Sequence, residues 1–196
     1  IQLHDPKNLK KKGNFLNRLI FDEILSNFLI SSNIRKKIKK IKKVKKVFND
    51  EPIKSVIKRI NFKLTEDQLK SIGEINKDLK SDRKMFRLIQ GDVGSGKTIV
   101  SLIACLNVIQ SKFQVAFMAP TEILSIQHYN LAQKIFNNHI KIKLLTSKTD
   151  RKERKTILDD LSQGKIDLII GTHSLFQEKI KYKNLGLIII DEQHKF

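Results

Sequence analysis

The sequence predicts an α/β fold: a parallel sheet flanked by helices, preceded by a helical segment. Three observations predict it. From Met85 onward, short runs of Ile, Leu and Val alternate with longer amphipathic stretches. A glycine-rich run, Gln90-Gly91-Asp92-Val93-Gly94-Ser95-Gly96-Lys97-Thr98, lies between one apolar run and a stretch without Gly or Pro. The last apolar run ends in two adjacent acids, Asp191 and Glu192. Continuous apolar strands between amphipathic helices indicate a sheet covered on both faces by crossover helices.

Residues 1–12 lead into Gly13 through Lys10, Lys11 and Lys12 and read as a connector. Asn14 to Phe48 has neither Pro nor Gly, and Leu16, Leu19, Ile20, Ile24, Phe28 and Leu29 recur at helical spacing. Ser31-Ser32-Asn33 interrupts the pattern and can cap a second helix, Ile34 to Phe48. There Ile34, Ile38, Ile41, Val44 and Phe48 share one face, while nine Lys or Arg and no acid lie between Arg35 and Lys46. Such a cationic helix can lie on a nucleic-acid backbone, rest on a membrane surface, or face water. Asp50-Glu51-Pro52 breaks it, so a boundary near 50–62 separates a basic helical linker, 1–60, from a second domain, 61–196.

In that second domain Thr65, followed by Glu66 and Asp67, opens a helix to about Leu79. Met85 to Ile89 is a short strand that feeds the glycine run, and Ile99 to Gln110 is the helix after it. Then follow a strand (Gln114 to Ala119), a helix (Glu122 to Phe136), a strand (Ile140 to Leu145) and a charged helix (Thr149 to Ser162) stopped by Gly164. Two more strands, Asp167 to Ile170 and Leu185 to Ile190, complete the pattern. Right-handed crossovers bring the C-terminal ends of all these strands to one edge, where ligands bind. The glycine loop, Ala119-Pro120-Thr121-Glu122, Gly171-Thr172-His173 and Asp191-Glu192 all belong to that edge.

The formal charge is +19. Residues 1–60 carry 17 basic against 5 acidic side chains, and residues 61–196 carry 22 against 15. A polyanionic partner such as DNA or RNA is one reading; a compositional excess of Lys, Ile and Asn is the other. A single cysteine, Cys105, forms neither an internal disulfide nor a metal cluster, and a reducing cytosol is the simplest setting. No apolar run approaches the roughly 18 residues of a membrane span. The chain begins without Met and stops soon after the acidic pair, and it reads as a piece of a longer protein.

Gly91, Gly96, Lys97 and Thr98 occupy the fixed positions of G-x-x-x-x-G-K-[ST]. In a strand–loop–helix context, the backbone N–H groups of residues 91–98 form an anion nest at a positive helix end. Gly91, Gly94 and Gly96 admit positive φ and close approach to phosphates. Lys97 would reach the terminal phosphates and the Thr98 hydroxyl would ligate Mg²⁺. Asp92 cannot favour phosphate by charge and is expected to bond to neighbouring loop or strand groups. Asp191 would hold the same Mg²⁺ through its water shell, and Glu192 would orient and deprotonate the attacking water. An acidic pair ending a strand is common by itself. Placed 94 residues after Lys97, it points to ATP hydrolysis.

Together these motifs resemble the first motor domain of superfamily 2 helicases and translocases, and among them the RecG family of bacterial ATP-dependent DNA helicases. The resemblance rests on Leu64-Thr65-x-x-Gln68, Arg87 to Thr98, Met118 to Leu124, Gln127-His128-Tyr129, Ile170-Gly171-Thr172-His173 and Asp191-Glu192-Gln193-His194. Arg18 to Leu25 is similar to that family's helical segment between wedge domain and motor. The transcription-repair coupling factor is the rival, but Ser95 and His194 fit it less well. Ser147, Ser174 and Lys195 depart from the RecG pattern, where Gly, Ala and Arg are usual.

The resemblance implies a RecA-like fold, in which Gln68 contacts adenine and Pro120, Thr121, Glu122, Gly171, Thr172 and His173 lie along a DNA backbone. It implies that Gln193 and His194 couple the γ-phosphate to a second motor domain. Branched DNA would be the partner, as replication forks and Holliday-type junctions, handled by a cytoplasmic monomer in recombination and repair. Alone, this stretch is expected to bind nucleotide weakly and neither to hydrolyse it fast nor to unwind DNA. Two other readings are a non-enzymatic basic nucleic-acid-binding module with a vestigial loop, and an ATPase unrelated to nucleic acid.

Overall fold

The computed structural model describes residues 9–49, 51–60, 63–136, 140–176 and 180–192. Among the described residues six α-helices and four strands follow the order α1 (Leu9–Lys40), α2 (Glu51–Arg59), α3 (Glu66–Lys80), α4 (Lys97–Gln110), β1 (Gln114–Met118), α5 (Glu122–Phe136), β2 (Ile142–Leu145), α6 (Arg151–Gln163), β3 (Leu168–Gly171) and β4 (Leu185–Ile190). The chain divides into two compact units. One holds α1 with the residues to Lys43 and Asp82–Arg87; the other holds Val44–Ser81 and everything from Leu88 onward.

In the second unit the strands form one parallel sheet in the order β2-β3-β1-β4. The two central strands are buried along their whole length and, apart from Gln114, apolar. Ala116, Leu145, Ile169 and Leu175 pack with Ile157 and Leu161 of α6 into one core layer. α5 packs against β2 and β3, while α4 packs against β1, β4 and α3. Local chemistry fixes the helix ends. Thr65 accepts a hydrogen bond from Gln68 N while Thr65 N donates to the Gln68 side chain, a reciprocal cap on α3. Asp150 caps α6, and Gly164 ends it in the left-handed region at φ 76°.

Several expectations are corrected. Met85 to Ile89 forms no ladder, and Phe86 and Leu88 are exposed. An apolar run of five residues cannot show whether a partner strand lies beside it. Coverage on both faces holds for β1 and β3 but not for β4, where Ile188 and Ile190, in register with Ala116 and Met118, are nearly half exposed.

The basic N-terminal region also differs. α1 runs unbroken through the expected connector end at Lys10–Gly13 and through Ser31-Ser32-Asn33. Its apolar stripe, Leu16, Leu19, Ile20, Ile24, Phe28 and Leu29, is exposed. The helix stops at Lys40 rather than Phe48, within the run of like charges whose i,i+4 repulsion opposes helix formation. Beyond it the backbone is extended: Lys43 N donates to Asp82 O (2.8 Å), and Lys84 N donates to Ile41 O (3.2 Å). Lys46 does not face water. It is buried, with Nζ 2.8 Å from the centroid of the Phe113 ring, a cation–π contact. Glu51 and Pro52 break no helix, since α1 has already stopped at Lys40; Glu51 instead opens α2, whose Val56 is buried.

Candidate active site

The sheet register builds the site. Leu145 of β2 pairs with Gly171 of β3, Gly171 with Met118 of β1, and Met118 with Ile190 of β4. All four strands therefore end level, and the segments after them, beginning at Thr146, Thr172, Ala119 and Asp191, emerge side by side. Backbone bonds continue the ladder one step: Ala119 N donates to Gly171 O and Asp191 N to Met118 O, both at 2.9 Å. Gly171 is required by this crowding, since a Cβ there would collide with Leu145 O.

Gly94 and Gly96 of the glycine loop both have φ 80°, and a Cβ on Gly96 would collide with the Gln68 amide. Lys97 begins α4 and folds back, donating from Nζ to Gly91 O (2.7 Å) and Asp92 O (2.8 Å). Asp92 also accepts through its carbonyl from Ser95 N (3.1 Å), so its internal bonding runs through the backbone. Val93 is fully exposed, and Thr98 lies in the first turn of α4. The Gln68 amide is held at both ends: Oε1 accepts from Thr65 N at the start of α3, and Nε2 donates to Ser95 O of the loop (2.8 Å).

Asp191 and Glu192 leave β4 differently. Asp191 continues the strand, whereas Glu192 has φ 51°, a left-handed conformation that costs a non-glycine residue about 1–3 kcal/mol and concentrates at functional sites. Asp191 Oδ2 lies 2.8 Å from His128 Nε2, and this bond holds the carboxyl below its ordinary value against the opposing effect of burial. The positive charge of Lys97 acts in the same direction, which brings the loop lysine and the strand-end acid into one electrostatic neighbourhood. The oxygen donors that could hold a hard cation are Thr98 and Asp191.

On the other side of β1, Thr121 caps α5 by accepting from Leu124 N (3.3 Å). The Glu122 carboxylate accepts from the Thr146 hydroxyl (3.2 Å) and meets Lys148 Nζ (3.1 Å). Thr172 O accepts from Leu175 N (3.0 Å) to start the short 3-10 turn His173–Phe176, in which His173 is exposed. Ser174 donates to Leu145 O (3.1 Å), which accommodates a hydroxyl where the RecG pattern has Ala. Gln193 and His194 lie outside the described residues.

Sequence reasoning gave no role to His128, Thr146 or Lys148. A signal for His128 was present: it falls among the buried α5 positions Ser125, Ala132, Ile135 and Phe136, where a polar ring needs a partner.

A phosphate loop, a strand-end acid within electrostatic reach of its lysine, and a level row of loops on a parallel sheet define a nucleotide-dependent motor domain. The DEAD/DEAH box helicase family profile matches residues 65–196, and the chain belongs to that family. More specifically, it is similar to the ATP-dependent DNA helicase RecG. It is 41% identical over 196 residues to that of Streptococcus pneumoniae serotype 4, covering 99% of this chain and 29% of the relative. To that of Thermotoga maritima it is 42% identical over 195 residues, covering 99% and 25%.

A solved structure of RecG bound to a three-way DNA junction matches with a TM-score of 0.82 at 43% identity, covering 92% of this chain and 25% of that one. The RecA-like sheet read from the sequence is thus the fold of this chain. The chain spans about a quarter of the length of these relatives.

Proposed function

We propose that this chain is the front of the first motor domain of an ATP-dependent DNA helicase that remodels branched DNA, such as forks and Holliday-type junctions, in recombination and repair. The observation that carries the reading is that Asp191, within electrostatic reach of Lys97, leaves β4 level with the segments after Met118 and Gly171. The glycine loop fits a triphosphate. Its positive-φ glycines suit an anion nest, and Lys97 already has its ammonium against the loop backbone.

In this reading residues 91–98 cradle the phosphates, and Gln68, held at Ser95, meets adenine by exchanging one of its two amide bonds. Thr98 and Asp191 would hold Mg²⁺, which when bound offsets phosphate charge. Glu192 orients and deprotonates the attacking water. Pro120, Thr121, Glu122, Gly171, Thr172 and His173 track the DNA backbone, positioning the strand without reading sequence. Gln193 and His194 pass the nucleotide state to a second motor domain, and a wedge domain engages the junction. Residues 1–60 are the linker to that wedge and residues 61–196 the motor. The protein acts on DNA as a monomer, with the cytoplasm as its place; among the described residues no helix is long and apolar enough to cross a membrane.

The test is Lys97→Ala in the full-length protein. ATP turnover stimulated by forked DNA should fall by at least about 10²- to 10³-fold, the loss typical of one charge-stabilising donor, while forked-DNA binding persists. Wild-type protein without ATP turnover, whose function in the full-length protein survives Lys97→Ala, would favour the non-enzymatic basic module. Turnover indifferent to forked DNA would favour an unrelated ATPase.

A further inference from the structure

We propose that His128 is a positioning residue for Asp191: by donating from Nε2 to Oδ2 it fixes the carboxylate that faces the divalent cation of the nucleotide complex. The inference rests on the proposed ATPase reading and assigns a residue that the motif chemistry leaves without a task. An ionised carboxylate only accepts hydrogen bonds, so at 2.8 Å the hydrogen belongs to His128 Nε2. Fixing Oδ2 fixes the carboxylate plane, and with it the position of the second oxygen.

His128 is suited to that task because it cannot itself wander. It is 7% exposed, and its ring lies 5.0 Å from that of Phe117 at 46°. Phe117 belongs to β1, the strand that also bonds the Asp191 backbone through Met118 O. Main chain and side chain of Asp191 are therefore referred to the same strand, one directly and one through the imidazole. Groups that hold a metal's carboxylate from behind typically alter metal affinity by about 10- to 100-fold when removed.

The experiment compares His128→Phe and His128→Gln in the full-length protein, with Mn²⁺ as the probe. Phe keeps a ring beside Phe117 but has no donor; Gln returns an N–H near the Nε2 position. Electron paramagnetic resonance would report Mn²⁺ bound in the presence of a non-hydrolysable ATP analogue, and thermal melting would confirm that each variant is folded. His128→Phe should weaken Mn²⁺ binding about 10- to 100-fold and lower kcat with little change in KM for ATP. His128→Gln should recover most of both. A Phe variant that binds Mn²⁺ like wild type, or a folded Gln variant no better than Phe, would overturn the assignment. If wild-type protein takes up no Mn²⁺ with the nucleotide, the ATPase reading itself fails, which separates the two outcomes.

Discussion

At the N-terminal ends of the strands, Gln114, Asp167 and Asn184 bond to backbone; at the C-terminal ends, beside the caps and loop bonds to backbone, two groups of side chains also bond to each other. The buried Gln114 donates to Leu161 O and Ile166 O, both at 2.9 Å, and accepts from Asn184 N at 3.0 Å. Asp167 accepts from Lys141 N, and Asn184 donates to Lys112 O. At the opposite end stand His128 with Asp191, and Glu122 with Thr146 and Lys148. A backbone partner moves only when its strand or loop moves, whereas a side-chain partner can turn away and pair again. The first edge is therefore a clamp and the second an adjustable surface.

The strongest way to break this contrast is to remove the clamp. Gln114→Leu removes the side-chain partner of Ile166 O and Asn184 N, while Leu161 O keeps Gly164 N, and should destabilise the fold by about 2 kcal/mol. A urea titration of the full-length protein would measure it, with ATP turnover per folded molecule unchanged. A midpoint that hardly moves would mean the amide is dispensable and the two edges are alike.

A smaller effect is expected at the adjustable edge. Glu122→Ala should change stability by no more than about 1 kcal/mol, because its ion pair with Lys148 is partly exposed. It should instead release Lys148 towards a polynucleotide. Half-maximal stimulation of ATP turnover would then need less DNA, and the salt dependence of binding would steepen by about 0.7 to 0.9 in log–log slope. An unchanged slope would remove Glu122 and Lys148 from the DNA-facing surface.

The smallest response belongs to the layer between the edges. Cys105 of α4 is completely buried, and desolvation pushes its thiol well above the ordinary range. Mass spectrometry after exposure to a thiol reagent should find it unmodified in folded protein and modified in urea.

Much of this could be read from the chain alone, and the physical reasons differ by region. From Gln114 to Ile190 the strand and helix bounds fall within about two residues of expectation, because apolar period, caps and Gly164 all agree there. Met85 to Ile89 could not be settled that way: an apolar run states a preference for burial without naming a partner. The region 31–48 was misread because three- to four-residue spacing persists through a charge run that the helix does not tolerate. In the site, Lys97 and Asp191 were legible because phosphate and metal chemistry demand those residue types. The His128–Asp191 contact was not, since a hydrogen bond between residues 63 apart leaves no local pattern.

The bonds from Asp191 N to Met118 O and from Ala119 N to Gly171 O have a mechanical consequence. Together with the ladders beneath them, they weld three strand exits into one transverse beam about 10 Å wide, at roughly 4.8 Å per strand. The backbone of such a beam resists bending even where the side chains on it can exchange partners. In the proposed motor, work delivered at the acid end would be shared across the neighbouring exits rather than absorbed by flexing them one by one.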